Sequence, residues 1–202
     1  MSSRLRIVVG ISGASGAALG VRVVELLAET GQCDIHLVVT HHAERTLLHE
    51  VGRNALSALA SMATRHHADE DIGASIASGS FRTAGMIVAP CSIRTLSAIA
   101  TSAANNLLVR AADVQLKERR RLVLLVRETP LHLGHLRTMT ALAEMGAIIL
   151  PPVPAFYAEP NTLSDLVDHM VGRALDLLGY DWPLAKRWGE DLAKGKRKPN
   201  RR

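Results

Sequence analysis

Three stretches of this 202-residue chain join an apolar run to residues able to bind an anion. In "VVGISGASGA" (8–17) the run breaks into Gly13, Ala14, Ser15 and Gly16. In "APCSIRTLSAIA" (89–100) it ends on Cys91, Ser92, Arg94 and Thr95. In "VRETPLH" (126–132) Arg127 and Glu128 close a strand, and Pro130 is placed to open a helix. A strand that turns into a helix leaves backbone N–H groups without partners, and the helix dipole favours negative charge beside them. The chemistry implied is capture of a phosphate.

Spacing narrows the kind of phosphate. Gly10, Gly13 and Gly16 stand three apart, which is not the G-x-G-x-x-G order of a dinucleotide turn. The following apolar run ends "VVTHH", with Thr40 where a dinucleotide reader carries an acid for the ribose. No Lys-Ser/Thr pair follows the glycines, so a P-loop is excluded too. A mononucleotide such as FMN fits better than NAD. The bland alternative is a tight turn capped by Ser15 and holding nothing. Each arginine alone reads as a surface cation, but three polar junctions along one edge do not fit that reading as a set.

The elements that must position these junctions alternate in type. "RLRIVVGIS", "DIHLVVT", "GMIVAP", "RLVLLVRE" and "AIILPP" read as buried strands. Between them "GAALGVRVVELLAET", "HAERTLLHEV", "IRTLSAIATS", "NNLLVRAADVQLKERR" and "LHLGHLRTMTALAEMG" read as helices, and "LSDLVDHMVGRALDLLG" follows as a long amphipathic one expected to pack on the sheet. This order predicts an α/β fold: one doubly wound parallel sheet in a flavodoxin- or Rossmann-like three-layer sandwich, with ligands at the carboxyl ends of the strands. Residues 1–188 form the domain, and 189–202 a basic, solvated tail. The stretch 93–112 is richer in apolar and small residues than one core face needs, so it is expected to bury against another protomer.

Composition removes several classes. The net charge is +5, yet "KGKRKPNRR" (194–202) alone holds six basic residues and no acid. "KERRR" (117–121) ends a predicted helix, where the dipole favours cations. With two each of Phe, Tyr and Trp, there is little surface on which to stack bases, so nucleic acid is not an expected partner. No apolar run approaches membrane-spanning length and no signal-peptide pattern opens the chain, so a cytoplasmic protein with no membrane partner is expected. Cys33 and Cys91 offer neither a disulfide framework nor ligand spacing, and "HLGH" (132–135) lacks a third ligand, so no metal is expected.

The motifs "GISGASG", "SGSFRTAGMIVAPCSIRTLSAIA", "RAADVQLKERR", "RETPL" and "PPVPAFYAEP" together resemble the UbiX family of flavin prenyltransferases, which includes phenolic-acid decarboxylase B subunits. The resemblance runs from about residue 5 to Trp188. It implies an enzyme that transfers a dimethylallyl group from dimethylallyl phosphate to reduced FMN, without metal. N5 of the flavin attacks the allylic carbon as phosphate leaves, and C6 then closes a fourth ring. The product, prenylated FMN, serves UbiD-type decarboxylases, and the enzyme is a homo-oligomer, dodecameric by the same resemblance.

Carried over by position, Gly13, Ala14 and Ser15 match the FMN-phosphate turn and Thr40 a further flavin contact. Ser92, Ile93, Arg94 and Thr95 match the second flavin turn, and Arg127 the flavin-contacting arginine. Arg110 and Lys117 match cations facing the prenyl phosphate, and Glu50 and Glu128 active-site carboxylates, with Ser15 beside them. Tyr157 and Arg173 match residues holding dimethylallyl phosphate, and Trp188 one that closes the site. The chemistry suits these types: phosphate leaves poorly unless cations neutralise it, and an allyl cation survives only where water is excluded. Read alone, Arg110 and Lys117 are helix-surface charges and Arg173 pairs with Asp176.

One segment departs from the family, "HLRTM" (135–139), where Arg137 and Thr138 replace an acid and an amide. Two other readings stay open. Flavin-dependent cysteine decarboxylases share the superfamily but carry asparagine where this chain has Arg94. A non-catalytic subunit that delivers flavin to a decarboxylase would have little use for Lys117, Glu128, Tyr157 and Arg173.

Overall fold

The computed structural model describes residues 4–179; Trp188 and the tail 189–202 lie outside the described residues. In chain order the elements are β1 (Leu5–Ile11), α1 (Ala17–Thr30), β2 (Cys33–Val39), α2 (His41–Glu50), α3 (Ala55–Met62), β3 (Arg65–His67) and β4 (Gly85–Cys91). They continue with α4 (Ile93–Ala100), α5 (Leu107–Lys117), β5 (Arg121–Val126), α6 (Leu133–Glu144), β6 (Ile148–Ile149) and α7 (Leu163–Leu177). The strands pair in the order β3-β2-β1-β4-β5-β6, all parallel. That is the Rossmann order, and its direction reverses between β1 and β4, which opens a crevice at their carboxyl ends.

Period-two alternation divides the strands between two cores. Val9, Ile11, Ile87 and Ala89 face α1 and α7, together with Val23, Leu27 and Leu175. Val8, Met86 and Val88 face the other way, onto Leu96, Leu108, Ala112 and Leu142. Gly20 lets α1 lie directly on β4, since a side chain there would run into the Ala89 carbonyl oxygen.

Several expectations need correction. β5 ends at Val126, so Arg127 and Glu128 stand beyond the strand. Pro130 does not open α6, which begins at Leu133 behind His132, whose Nδ1 accepts the Gly134 N–H. The "KERRR" cluster is more than a helix end. Arg119 turns the chain with a positive φ of 57°, and Arg120 donates to the carbonyls of Gly79 and Phe81 at 2.6 and 3.0 Å. The stretch 93–112 is two helices rather than one, and α5 turns its own Leu107, Leu108, Ala111, Ala112 and Val114 into the core with Val8, Met86 and Val88. Exposed apolar side chains gather elsewhere, at Leu131, Leu133 and Leu136 and at Val153, Phe156 and Leu163. α7 packs on α1 as well as on β5. The departing Arg137 is exposed on α6, and the Thr138 hydroxyl donates to the Gly134 carbonyl, so neither bears on the core. Among the described residues no helix is long and apolar enough to cross a membrane.

Candidate active site

Ser12, which sequence reasoning passed over, ties the first two junctions together. Its hydroxyl donates to the Pro90 carbonyl at 2.9 Å and accepts the Ser92 N–H at 2.8 Å. The ends of β1 and β4 are thereby fixed at the switch point. Ser92 caps α4, accepting the Thr95 N–H, and its hydroxyl donates to Thr95 Oγ1 at 3.1 Å. Thr40 caps α2 in the same way, through the Ala43 N–H. Gly13 passes so close to α2 that a Cβ would stand 2.6 Å from that of His42. Among the described residues the N–H groups of Gly13, Ser15, His41, His42, Ile93 and Arg94 meet no acceptor. These donors sit at one crevice between three turns, a cradle suited to a phosphate monoester.

The first turn differs from the expected Ser15 cap. Gly16 is the capping residue, with φ 99°, and with no side chain it supplies no capping bond. The helix end is instead closed by Glu50 from the last turn of α2, whose Oε2 accepts the Gly16 and Ala17 N–H groups at 2.9 and 2.8 Å. Partial desolvation opposes ionisation of Glu50. The Ser15 hydroxyl, the Ala17 and Gly16 N–H groups and the Arg127 guanidinium outweigh it and hold the carboxyl below its ordinary value. So α1 already has its anion, which leaves the open N–H groups of Gly13, Ser15, His41, His42, Ile93 and Arg94 as the candidate donors to a phosphate.

A pH dependence follows. A carboxylate depressed in the folded state contributes stability that is complete above its unfolded pKa and is lost as pH falls through the folded one. Glu50→Gln is expected to cost about 0.5–2 kcal/mol at pH 7. The gap to wild type should start to shrink as pH falls below the ordinary carboxylate value of ~4.3 and close only below the depressed folded one, where both proteins carry a neutral group. Urea denaturation from pH 7 down through that range measures it. A gap that persists unchanged in acid would assign Glu50 a packing role.

The third junction adds charge to the same edge. The Arg127 N–H donates to the Cys91 carbonyl at 3.0 Å, and its guanidinium acts on Glu50. Glu128 is exposed, with Oε1 accepting the Thr129 N–H at 3.0 Å. Cys91 is buried, and desolvation pushes its thiol up to about 12, so it supplies no thiolate. Arg94 is exposed on a hollow of about 330 Å³ shared with His42, Asp69 and Asn106. Asp69, unread in the sequence, holds the start of α5 by accepting the Asn106 side-chain N–H and the Leu108 N–H at 3.0 and 3.3 Å.

The remaining candidates are not all brought to this edge. Arg110, one turn into α5, donates to the Ala77 carbonyl at 3.1 Å and to Asp113 at 2.8 Å. Lys117 ends α5 at the amino end of the sheet, paired with Glu118 at 2.8 Å and lying against Gly79. Arg173 pairs with Asp176 at 2.9 Å and lines an apolar cavity of about 100 Å³ with Leu125, Leu150 and Pro151. Tyr157 stands on a 3₁₀ turn, Phe156–Ala158, in the segment after β6. An open cleft of about 760 Å³ runs beside Ser15, Arg45, His49, Glu50 and Arg53. Among the described residues no three His, Cys, Asp or Glu side chains gather as metal ligands.

Comparison with known proteins finds relatives along most of the chain. The Flavoprotein family model matches residues 1–175. A flavin prenyltransferase UbiX of Thauera aromatica is 56% identical over 184 residues, 91% of this chain and 94% of that protein. The crystal structure of AnUbiX (PadA1) in complex with FMN and dimethylallyl pyrophosphate superposes with a TM-score of 0.88 at 46% identity, covering 92% of this chain and 98% of that one. The dodecameric FMN-dependent UbiX-like decarboxylase of Escherichia coli O157:H7 also gives 0.88 at 46% identity, over 91% and 99% of the two chains.

Proposed function

The chain belongs to the UbiX family of flavin prenyltransferases, an enzyme acting on FMN and a dimethylallyl donor, and from that premise we infer how its own residues divide the work. The observation that carries the assignment is the carboxyl edge at the β1/β4 switch point, where three neighbouring turns leave N–H groups without acceptors and Arg127 stands on the same edge. Gly13, Ala14, Ser15, Thr40 and the turn Ser92, Ile93, Arg94 and Thr95 hold the FMN phosphate, and Arg127 contacts the flavin. Reduced FMN, when bound, supplies the nucleophilic N5 and C6.

Tyr157 and Arg173 bind the phosphate of dimethylallyl phosphate, and Arg110 and Lys117 neutralise it as it leaves. Glu128 orients that network and moves a proton at the flavin edge. Glu50, hydrogen-bonded by Ser15, keeps a second carboxylate beside the open cleft. Trp188 keeps its expected part in closing the site, although it lies outside the described residues. No metal takes part in this scheme.

The working form is a homo-oligomer, dodecameric like the Escherichia coli O157:H7 relative, with the exposed apolar side chains of Leu133, Leu136, Val153 and Phe156 suited to subunit contacts. It works in the cytoplasm, where the free thiols of Cys33 and Cys91 stay reduced, and passes prenylated FMN to a UbiD-type decarboxylase. Arg94 in the asparagine position speaks against cysteine decarboxylation.

The deciding experiment incubates the protein anaerobically with reduced FMN and dimethylallyl phosphate, or with the pyrophosphate in a parallel arm, and takes the mass of the released flavin. A gain of one dimethylallyl unit is expected with the monophosphate. Flavin bound and released unaltered in both arms would make the protein a carrier.

A further inference from the structure

Among the described residues His36 and His67 are the two most deeply buried histidines, 7% and 3% exposed, and the scheme above gives them no part. They stand on β2 and on the edge strand β3, which pair in parallel with Arg65 beside His36 and His67 beside Val38. His36 Nδ1 lies 3.0 Å from His67 Nε2, with the rings stacked at 24° and their centroids 5.3 Å apart. Phe81 meets His36 edge to face at 5.1 Å, and the Arg6 guanidinium stands over the Phe81 ring at 4.5 Å. The connection from β3 to β4, residues 68–84, is tied to α5 and the residues just after it. The Asp69 carbonyl accepts the Leu107 N–H at 2.7 Å, and Arg110 and Arg120 donate to the carbonyls of Ala77, Gly79 and Phe81. The imidazole pair therefore fastens to β2 the strand from which this anchoring segment departs.

A hydrogen bond between two imidazoles needs one nitrogen that carries a proton and one that does not. A first added proton puts a charge on a buried pair, and a second leaves two N–H groups facing each other, which breaks the bond. The surrounding charges do not relieve this. On His36 burial leads, and with the Arg6 and Arg65 cations it outweighs the Asp34 carboxylate and lowers the affinity for a proton. On His67 burial again leads, followed by His36 and Arg65, with His66 adding to them and Asp71 opposing, and the ring is held down to about 4. An imidazole kept neutral in the closed chain but free to charge in the opened one gives stability that is complete above the ordinary histidine value of ~6.5. That stability is lost as pH falls toward the closed-state value. Asp69, two residues on, is raised by burial against the Leu108 N–H and the Asn106 amide, so its titration acts with the opposite sign.

We propose that the His36–His67 pair is an acid-operated latch: as neutral imidazoles sharing one hydrogen bond it clamps the edge strand β3 to β2, and proton uptake releases β3 together with the connection that anchors the start of α5. The released segment carries Asp69, which shares a hollow with Arg94, and the Ala77 carbonyl that orients Arg110. Acid thus reaches the carboxyl edge through the fold, whichever flavin or donor the site takes.

Hydrogen–deuterium exchange of the full chain from pH 7 to about 5, corrected for the intrinsic pH dependence of exchange, reads the opening of each amide. In wild type the amides of β3 and of Leu107 are expected to open about tenfold more for each pH unit below ~6.5 when one proton is taken up, and about a hundredfold more for two. β1 and β4, in the middle of the sheet, should stay the better protected throughout. H36N/H67Q puts amide groups near the Nδ1 and Nε2 positions, which share a hydrogen bond that does not titrate, and should flatten the profile. H66Q, at the exposed neighbour, should keep the wild-type slope. A flat profile in wild type, an unchanged slope in H36N/H67Q, or β3 opening no sooner than β1 and β4 would each overturn the proposal. Should the double variant not fold, the wild-type profile is read beside the NMR titration of the two rings. Rings of the closed form that stay neutral down to about pH 5 while β3 opens more often would support the latch, and rings that charge at an ordinary pH with β3 still closed would overturn it.

Discussion

Glu128→Gln is expected to leave FMN and dimethylallyl phosphate bound and to lower turnover by about a hundredfold or more, the range for a lost acid–base step. The carboxylate stands two residues past the end of β5, exposed at the carboxyl edge where the three turns converge. Its Oε1 accepts the Thr129 N–H, a bond that an amide oxygen can keep, so glutamine preserves the local shape. What it removes is charge and basicity. Binding should survive because, in the proposed site, backbone N–H groups, hydroxyls and cations hold the phosphates, and the glutamine amide oxygen can still accept from the groups that Glu128 orients. Single-turnover absorbance of reduced FMN with dimethylallyl phosphate reads the step, with binding checked separately. Equal rates in the two proteins would remove Glu128 from the mechanism, and no product in either would favour a carrier.

The part of this site that the sequence made legible is the part built from contiguous residues. β1, β2, β4 and β5 are each a near-continuous apolar run, because a parallel sheet covered on both faces leaves no polar side to alternate with. The junctions after β1, β4 and β5 could therefore be found by the residues that follow. β3 could not, since it is Arg65, His66 and His67, three polar residues held at the edge by pairing with β2 alone. Nor could α3, eight residues long with only Ala55 and Leu59 buried. Glu50 shows a second limit. Its carboxylate caps a helix 34 residues earlier in the chain, and no local pattern announces such a partner. Ser15 looked like the cap because serine commonly caps, but the left-handed Gly16 took that position. Ser12 was hidden for a different reason: its partners Pro90 and Ser92 become neighbours only when β1 and β4 pair.

Lys117→Ala is expected to cost about a hundred- to a thousandfold in turnover, as for other groups that meet charge developing on a leaving oxygen. It is also expected to be rescued by a second, differently disabled copy of the chain. Lys117 precedes β5 by four residues and lies against Gly79, at the amino end of the sheet. Glu128 follows the far end of that strand. Six residues of strand separate the two ends by roughly 20 Å, too far for both side chains to reach one phosphate. If Lys117 acts on the donor, it does so in the site of a neighbouring protomer, where α5 ends against the other copy's carboxyl edge. Co-expressing K117A with E128Q then gives sites in which the lysine comes from one chain and the glutamate from the other. With random mixing about a quarter of sites carry both groups, so activity should return to about a quarter of the wild-type value although each parent is nearly inactive. A same-chain site would show no recovery, because every site would then lack one of the two groups. Different affinity tags on the two copies, captured in tandem, show whether the copies assemble together. Mixed oligomers without regained turnover would return Lys117 to its bland reading, a surface cation paired with Glu118.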